Sequence, residues 1–232
     1  MPLRKWIKSA NHAIEGILHA AKTQRHMRYH LYTAVLILLL SFSLGISWME
    51  FTALVVLSIM VISVEMINTA IEAITDVLFK EYDPRAKAIK DIAAGAVLIT
   101  AMGAVVIGYI ILFEPLKDMF YEGIVIAKHS EGDVAIVALV IVLIVVVITK
   151  AFLGKGEPLR GGMPSGHAAV AFSIWVAITF LTESFMPSIL VFIMAIFIAQ
   201  SRVHVGIHRP VEVILGALLG STITFVLLKI FS

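Results

Sequence analysis

The sequence predicts an all-α integral membrane protein with about seven transmembrane helices and an N-terminal interfacial amphipathic helix. Two observations carry that reading. The chain has 232 residues, 60% of them hydrophobic, and a mean hydropathy of +1.00, well outside the range of soluble domains. Apolar segments recur at 31–48, 51–79, 92–113, 133–153, 168–184, 187–203 and 211–230. Each is near the length that crosses about 30 Å of hydrocarbon. Backbone polar groups in lipid must be satisfied within the segment, so the spans are helices. The absence of Cys excludes disulfides, a thiolate nucleophile and Cys-based metal sites. The net charge of +2 is unremarkable, and no nucleic-acid partner is expected; the membrane and a lipid are.

The first 28 residues are basic and lack the continuous apolar core of a signal peptide. Trp6, Ile7, Ala10, Ala13, Ile14, Ile17 and Leu18 recur at helical spacing, with Lys5, Lys8, His12, His19 and Lys22 largely elsewhere. That pattern fits a helix lying on an anionic membrane surface. A soluble amphipathic helix packed on another domain is the competing reading.

The second span carries Glu65, Asn68, Glu72 and Asp76, whose spacings of 3, 4 and 4 place them on one helical face. Ionisable groups in a span are costly and mark function. Carboxylates beside an amide can hold Mg²⁺ together with phosphate oxygens. One carboxylate could instead take a proton from a lipid hydroxyl. Glu81, Tyr82 and Asp83 follow, then Lys90 and Asp91 open the third span. A lysine at that edge suits nucleotide phosphates. The bland alternative is that these groups only bond helices together or line a proton path.

These residues, with RAKAIKDIAAGAV at Arg85–Val97, resemble the small prokaryotic diacylglycerol kinase/undecaprenol kinase family over residues 1–113. The resemblance implies a three-span, homotrimeric kinase that uses ATP and Mg²⁺ to phosphorylate a lipid alcohol at the cytoplasmic face. It implies that Glu65 is the general base and Glu72 the metal-bearing carboxylate. Glu81, Tyr82, Asp83, Lys90 and Asp91 would be nucleotide contacts, and His12 more loosely so. The sequence departs at Gln24, where the family usually has a glutamate that is a second metal ligand. An amide carbonyl can coordinate Mg²⁺ but brings no charge, so the metal would bind more weakly.

Residues 114–132 form a linker expected to be extracytoplasmic. The stretch 114–133 carries Glu114, Asp118, Glu122, Glu131 and Asp133 against Lys117 and Lys128. The N-terminus and the loop 80–91 are basic, so the positive-inside bias places both in the cytoplasm. The stretch 116–127 is too short and polar to cross again and is expected to be interfacial.

Between the fourth and fifth spans lies Gly161-Gly162-Met163-Pro164-Ser165-Gly166-His167, a helix-breaking turn. About forty residues later Ser201, Arg202, His204, His208, Arg209 and Glu212 interrupt the apolar pattern. Two spans intervene, so both clusters fall on one membrane side, along with Lys150, Lys155 and Arg160. Cations, a hydroxyl and helix-start N–H groups can hold a phosphoryl group. A neutral His can attack phosphorus while a second, protonated His protonates the leaving oxygen. A carboxylate four residues beyond the first His can fix its tautomer. His204 reads as structural.

Pro164-Ser165-Gly166-His167, and Ser201-Arg202 followed by His208 and an acid, resemble the type 2 phosphatidic acid phosphatase superfamily over 133–232. The resemblance implies metal-independent hydrolysis through a phosphohistidine. His208 would be the nucleophile, His167 the general acid, and Arg160, Ser165 and Arg202 the phosphate cradle. Glu212 stands where an aspartate is usual. Neither Lys150 nor Lys155 has the spacing of the first motif, so the choice of lysine stays open.

Charge bias and span parity lead to the expectation that both sites face the cytoplasm, and the kinase resemblance implies a bacterial or archaeal cell, with the bacterial inner membrane the expected location. A polyprenol reconciles the two activities: phosphorylating the alcohol and removing one phosphate from the diphosphate yield the same monophosphate. A diacylglycerol would give a futile cycle. The competing readings are a phosphatase carried on a lapsed, trimeric kinase scaffold, and an ion-coupled transporter.

Overall fold

The computed structural model describes residues 2–123, 126–153 and 162–232. It is 87% helix, with no strand among the described residues. Eight helices follow in order: α1 Pro2–Thr23, α2 Arg25–Ser43, α3 Trp48–Leu78, α4 Pro84–Glu122, α5 Glu131–Leu153, α6 Gly166–Thr182, α7 Phe185–His204 and α8 Pro210–Phe231. α3, α4, α5, α7 and α8 are long and apolar enough to cross a membrane, and α6 is a shorter apolar helix. The apolar segments inferred from sequence fall on α2 to α8 in order.

The boundaries follow from local chemistry. A capping box starts α3: Glu50 N–H donates to Ser47 Oγ at 3.3 Å, and Ser47 N–H donates back to Glu50 Oε2 at 2.9 Å. α4 begins with Pro84 at its first position, after Asp83. The Asp83 carboxylate accepts from Arg85 N–H at 2.7 Å. The loop before α4 is therefore shorter than the basic stretch 80–91, most of which is helical. α4 also overruns the expected end at 113: it continues through Pro115 to Glu122. A proline removes one backbone donor but leaves the flanking i→i−4 bonds, and Lys117 Nζ bridges to Glu114 at 2.5 Å across the same turn. The expected interfacial stretch 116–127 is thus largely the end of this helix.

Contacts divide the chain into two units, 23–127 and 1–22 with 128–232. In the first, α2 packs on α3 and α3 on α4. In the second, α6 is central: it packs on α5, α7 and α8. α1 groups with this second unit.

The α6–α8 crossing is the tightest feature. A Cβ at Gly216 would collide with the Ser165 backbone, and one at Gly220 with the Ala169 backbone. One turn further, Ser173 and Thr224 share a buried hydroxyl–hydroxyl bond of 2.7 Å. Small residues spaced by four let two backbones approach closely where lipid gives no hydrophobic drive to pack. Val142, Val146 and Ala169 close one side of the crossing; Ala168, Ala199 and Val213 close the other. Gly220→Leu should therefore destabilise this unit by about 3 kcal/mol, an overpacking cost. Gly103→Ala, with nothing within 4 Å of the added Cβ, should be neutral. Thermal unfolding in detergent distinguishes the two.

Candidate functional sites

In the 23–127 unit, α3 presents its polar face toward the start of α2. Gln24 is the single non-helical residue between α1 and α2, with extended backbone. Its side-chain amide donates to Glu72 Oε2 at 3.2 Å. The Asn68 amide donates to Glu72 Oε1 at 3.2 Å. The two expected metal-bearing residues are thus brought together. Asn68 is 8% exposed and its Oδ1 is buried without a partner. Glu65 is 3% exposed, with His26 and Glu72 within electrostatic reach of it.

The oxygens of Glu72, Asn68 and Gln24 are hard donors of the kind Mg²⁺ takes, and the orphaned Asn68 Oδ1 lacks a partner that a cation would supply. The set fits a magnesium ion but contributes one negative charge. Among the described residues, no three or more acidic, His or Cys groups are arranged to hold a metal.

Beyond the end of α3, a cleft of about 430 Å³ is lined by Asp76, Glu81, Tyr82, Asp83, Lys90 and Asp91, with Thr75, Phe79, Ala86 and Lys87. Every expected nucleotide contact except His12 lies here. Lys90 Nζ bonds Asp76 Oδ1 at 2.5 Å, and Lys87 pairs with Asp91. Arg85 stands over the Phe79 ring and holds the Asp83 carboxyl below its ordinary range, chiefly by its side-chain hydrogen bond. His12 lies on α1 in the other unit, paired with Glu15 at 3.2 Å.

The second site forms where the N-termini of α6 and α8 meet. The loop after α7 folds back: Ile207 and His208 N–H groups both donate to Arg202 O, at 3.2 and 3.1 Å. Gly206 takes a φ of +72° to allow it. His208 is 6% exposed, and its Nδ1 lies 2.8 Å from Glu212 Oε2. An ionised carboxylate only accepts, so Nδ1 carries a proton, and in the neutral ring that leaves the lone pair on Nε2. Arg209 N–H also donates to that oxygen, at 3.2 Å. Glutamate in place of the usual aspartate therefore still reaches its histidine.

Ser165 N–H donates to Glu212 O at 2.9 Å, joining the two sequence clusters. Ser165 is fully buried with its Oγ unpartnered, and Arg202 Nε is also buried without a partner. Phosphoryl oxygens would satisfy both. His167 sits in the first turn of α6, within electrostatic reach of Arg202, His208 and Lys150. Lys150, 9% exposed on the last turn of α5, also acts on Glu212. Lys155 and Arg160 lie outside the described residues. His204 ends α7 exposed, away from the buried network.

Sequence reasoning missed His26 and Gly162. His26 follows Gln24 by two residues, and only the α2–α3 packing brings it to Glu65. The Gly162 N–H reaches the Glu212 carboxylate; glycine has no side chain to signal a donor.

The family model of prokaryotic diacylglycerol kinase matches residues 11–112, and that of the PAP2 superfamily matches 149–232. An undecaprenol kinase of Bacillus subtilis is 36% identical over 114 residues, 49% of this chain and 93% of that protein. A diacylglycerol kinase of a Synechocystis species is 36% identical over 127 residues, 51% of this chain and 73% of its own. An undecaprenyl-diphosphatase of Sulfolobus acidocaldarius is 36% identical over 85 residues, 37% of this chain and 41% of its own. No solved structure matches the chain. With both domain matches falling on the two constellations, the chain belongs to the prokaryotic diacylglycerol kinase family through its first half, its second half matches the PAP2 superfamily model, and it is a membrane enzyme that joins a lipid kinase to a lipid phosphatase.

Proposed function

We propose that this enzyme supplies a polyprenyl monophosphate, undecaprenyl phosphate, from two directions: by phosphorylating the alcohol and by hydrolysing the diphosphate. The pairing itself carries the reading. A kinase site and a phosphatase site on one chain oppose each other on a diacylglycerol but converge on a polyprenol. The relatives named for undecaprenol and undecaprenyl diphosphate support it.

In the phosphatase half, His208 Nε2 attacks the terminal phosphorus. The bond from phosphorus to the bridging oxygen breaks, and protonated His167 gives that oxygen its proton. Water then attacks the phosphohistidine, the P–N bond breaks, and His167 takes the proton back. Glu212 holds Nδ1–H and stabilises the charge that develops on the ring. Ser165 Oγ, Arg202 and Lys150 hold the equatorial oxygens, with Arg160 as a fourth group. Of the two candidate lysines, the reach of Lys150 to His167 and Glu212 favours it.

In the kinase half, Glu65 takes the proton of the lipid hydroxyl, whose oxygen displaces ADP from the γ-phosphorus. Glu72, Gln24 and Asn68 would hold Mg²⁺, which when bound neutralises phosphate charge. Lys90 and the cleft residues would position the nucleotide. The enzyme crosses the bacterial inner membrane seven times, with α1 at the interface and the N-terminus and both sites cytoplasmic. It assembles as a homotrimer through the kinase half. A single cysteine at position 156 that reacts with an impermeant reagent from outside would sink this topology.

The Gln24 amide on Glu72 favours a second reading, in which the kinase half has lapsed into a scaffold. Transfer of labelled γ-phosphate from Mg-ATP to undecaprenol and diacylglycerol by purified His208→Ala separates the two. Labelled undecaprenol is the expected result; no label, restored by Gln24→Glu, would leave the scaffold. Chelation should abolish phosphoryl transfer and spare hydrolysis of undecaprenyl diphosphate. Glu65→Gln should lower kinase kcat by about 10²-fold or more, the usual worth of a general base. Glu212→Gln should lower phosphatase kcat by a similar order, about 10²-fold or more, because an amide can stabilise the wrong imidazole tautomer.

A further inference from the structure

Glu72 accepts two amide N–H groups, from Gln24 and Asn68, at 3.2 Å each. Its charge is therefore already offset, in a site that needs no cation to be stable. Each amide carries a carbonyl oxygen on its opposite end, and half a turn about the terminal bond exchanges the two. On Asn68 that oxygen is buried and unpartnered. It is the second observation that points to a ligand, because a buried carbonyl without a donor is rarely left so.

We infer that Gln24 and Asn68 form an amide latch on Glu72, so that a divalent cation enters this site only together with a nucleotide. A bare cation must give up hydration, displace both amides and receive one negative charge in return. Charge count sets the affinity of such oxygen sites. The triphosphate of a nucleotide supplies the missing charge, and the amides then turn their carbonyl oxygens inward. Glu65 lies near enough to act on the pair electrostatically, yet it is not among the groups bonded to Glu72. The inference rests on the kinase reading and adds an order of binding to it.

The test reads metal binding, not turnover. Mn²⁺ bound to the full-length protein in detergent is measured by electron paramagnetic resonance, alone and with a non-hydrolysable ATP analogue. Signal lost in Glu72→Ala is assigned to this site. The wild type should take no Mn²⁺ alone at millimolar concentration and should take it with the analogue. Gln24→Glu should bind Mn²⁺ alone, about ten-fold tighter or more, because a second charged ligand replaces the amide. Asn68→Asp should do the same, which keeps the test decisive if the first variant does not fold. Wild-type binding of Mn²⁺ alone as tight as in Gln24→Glu would overturn the latch and leave the kinase reading standing. Binding by Gln24→Glu, with none by the wild type even with the analogue, would overturn it in favour of the scaffold. No binding by any variant under any condition would overturn the latch and the kinase reading together.

Discussion

The close approach of α6 and α8 is the constraint on which the phosphatase half depends. Gly216 and Gly220 leave no room for a Cβ against the Ser165 and Ala169 backbones. That contact, extended by the Ser173–Thr224 bond, aligns the start of α6 with the start of α8. Ser165 N–H can then reach Glu212 O, and the turn bearing Ser165 and His167 meets the turn bearing Arg202 and His208. A side chain at either glycine would separate the helices and dissolve the site without touching a reacting group. In lipid, where apolar surface gives no net drive to pack, such backbone proximity is what holds helices in register.

The two sites approach phosphate from opposite electrostatic directions. The phosphatase site gathers cationic and neutral donors, buried Lys150 and Ser165 and the buried Nε of Arg202, with one carboxylate committed to His208. It can receive an anion directly. The kinase site gathers Glu65 and Glu72 and an exposed cleft rich in acids. In the proposed reading it holds a triphosphate only with a cation between the two sets of negative charge. In the proposed reading this difference is why one half works without metal and the other with it.

Much of this was legible because lipid makes chemistry conspicuous. Glu65, Asn68, Glu72 and Asp76 stand out from an apolar run at helical spacing, and the family resemblance, not residue order, singled out Glu81–Asp83, Lys90 and Asp91, which the structure gathers in one cleft. The end of α4 was not legible. Charged residues after 113 resemble a linker, but the helix continues through Pro115 to Glu122.

By itself the sequence determined the all-helical class, the order of the apolar segments and the identity of the two polar constellations. These depend on local rules: hydrophobic length, helical period and the expense of a charge in hydrocarbon. Only the tertiary structure decided that Gln24 meets Glu72, that Ser165 N–H reaches Glu212 O, and that Gly216 and Gly220 are contact points and not breaks. Those outcomes depend on distances between residues far apart in the chain, 48 positions for Gln24 and Glu72 and 51 for the Ser173–Thr224 bond beside the glycine contacts. No local preference specifies such distances, because they are set by how whole helices cross.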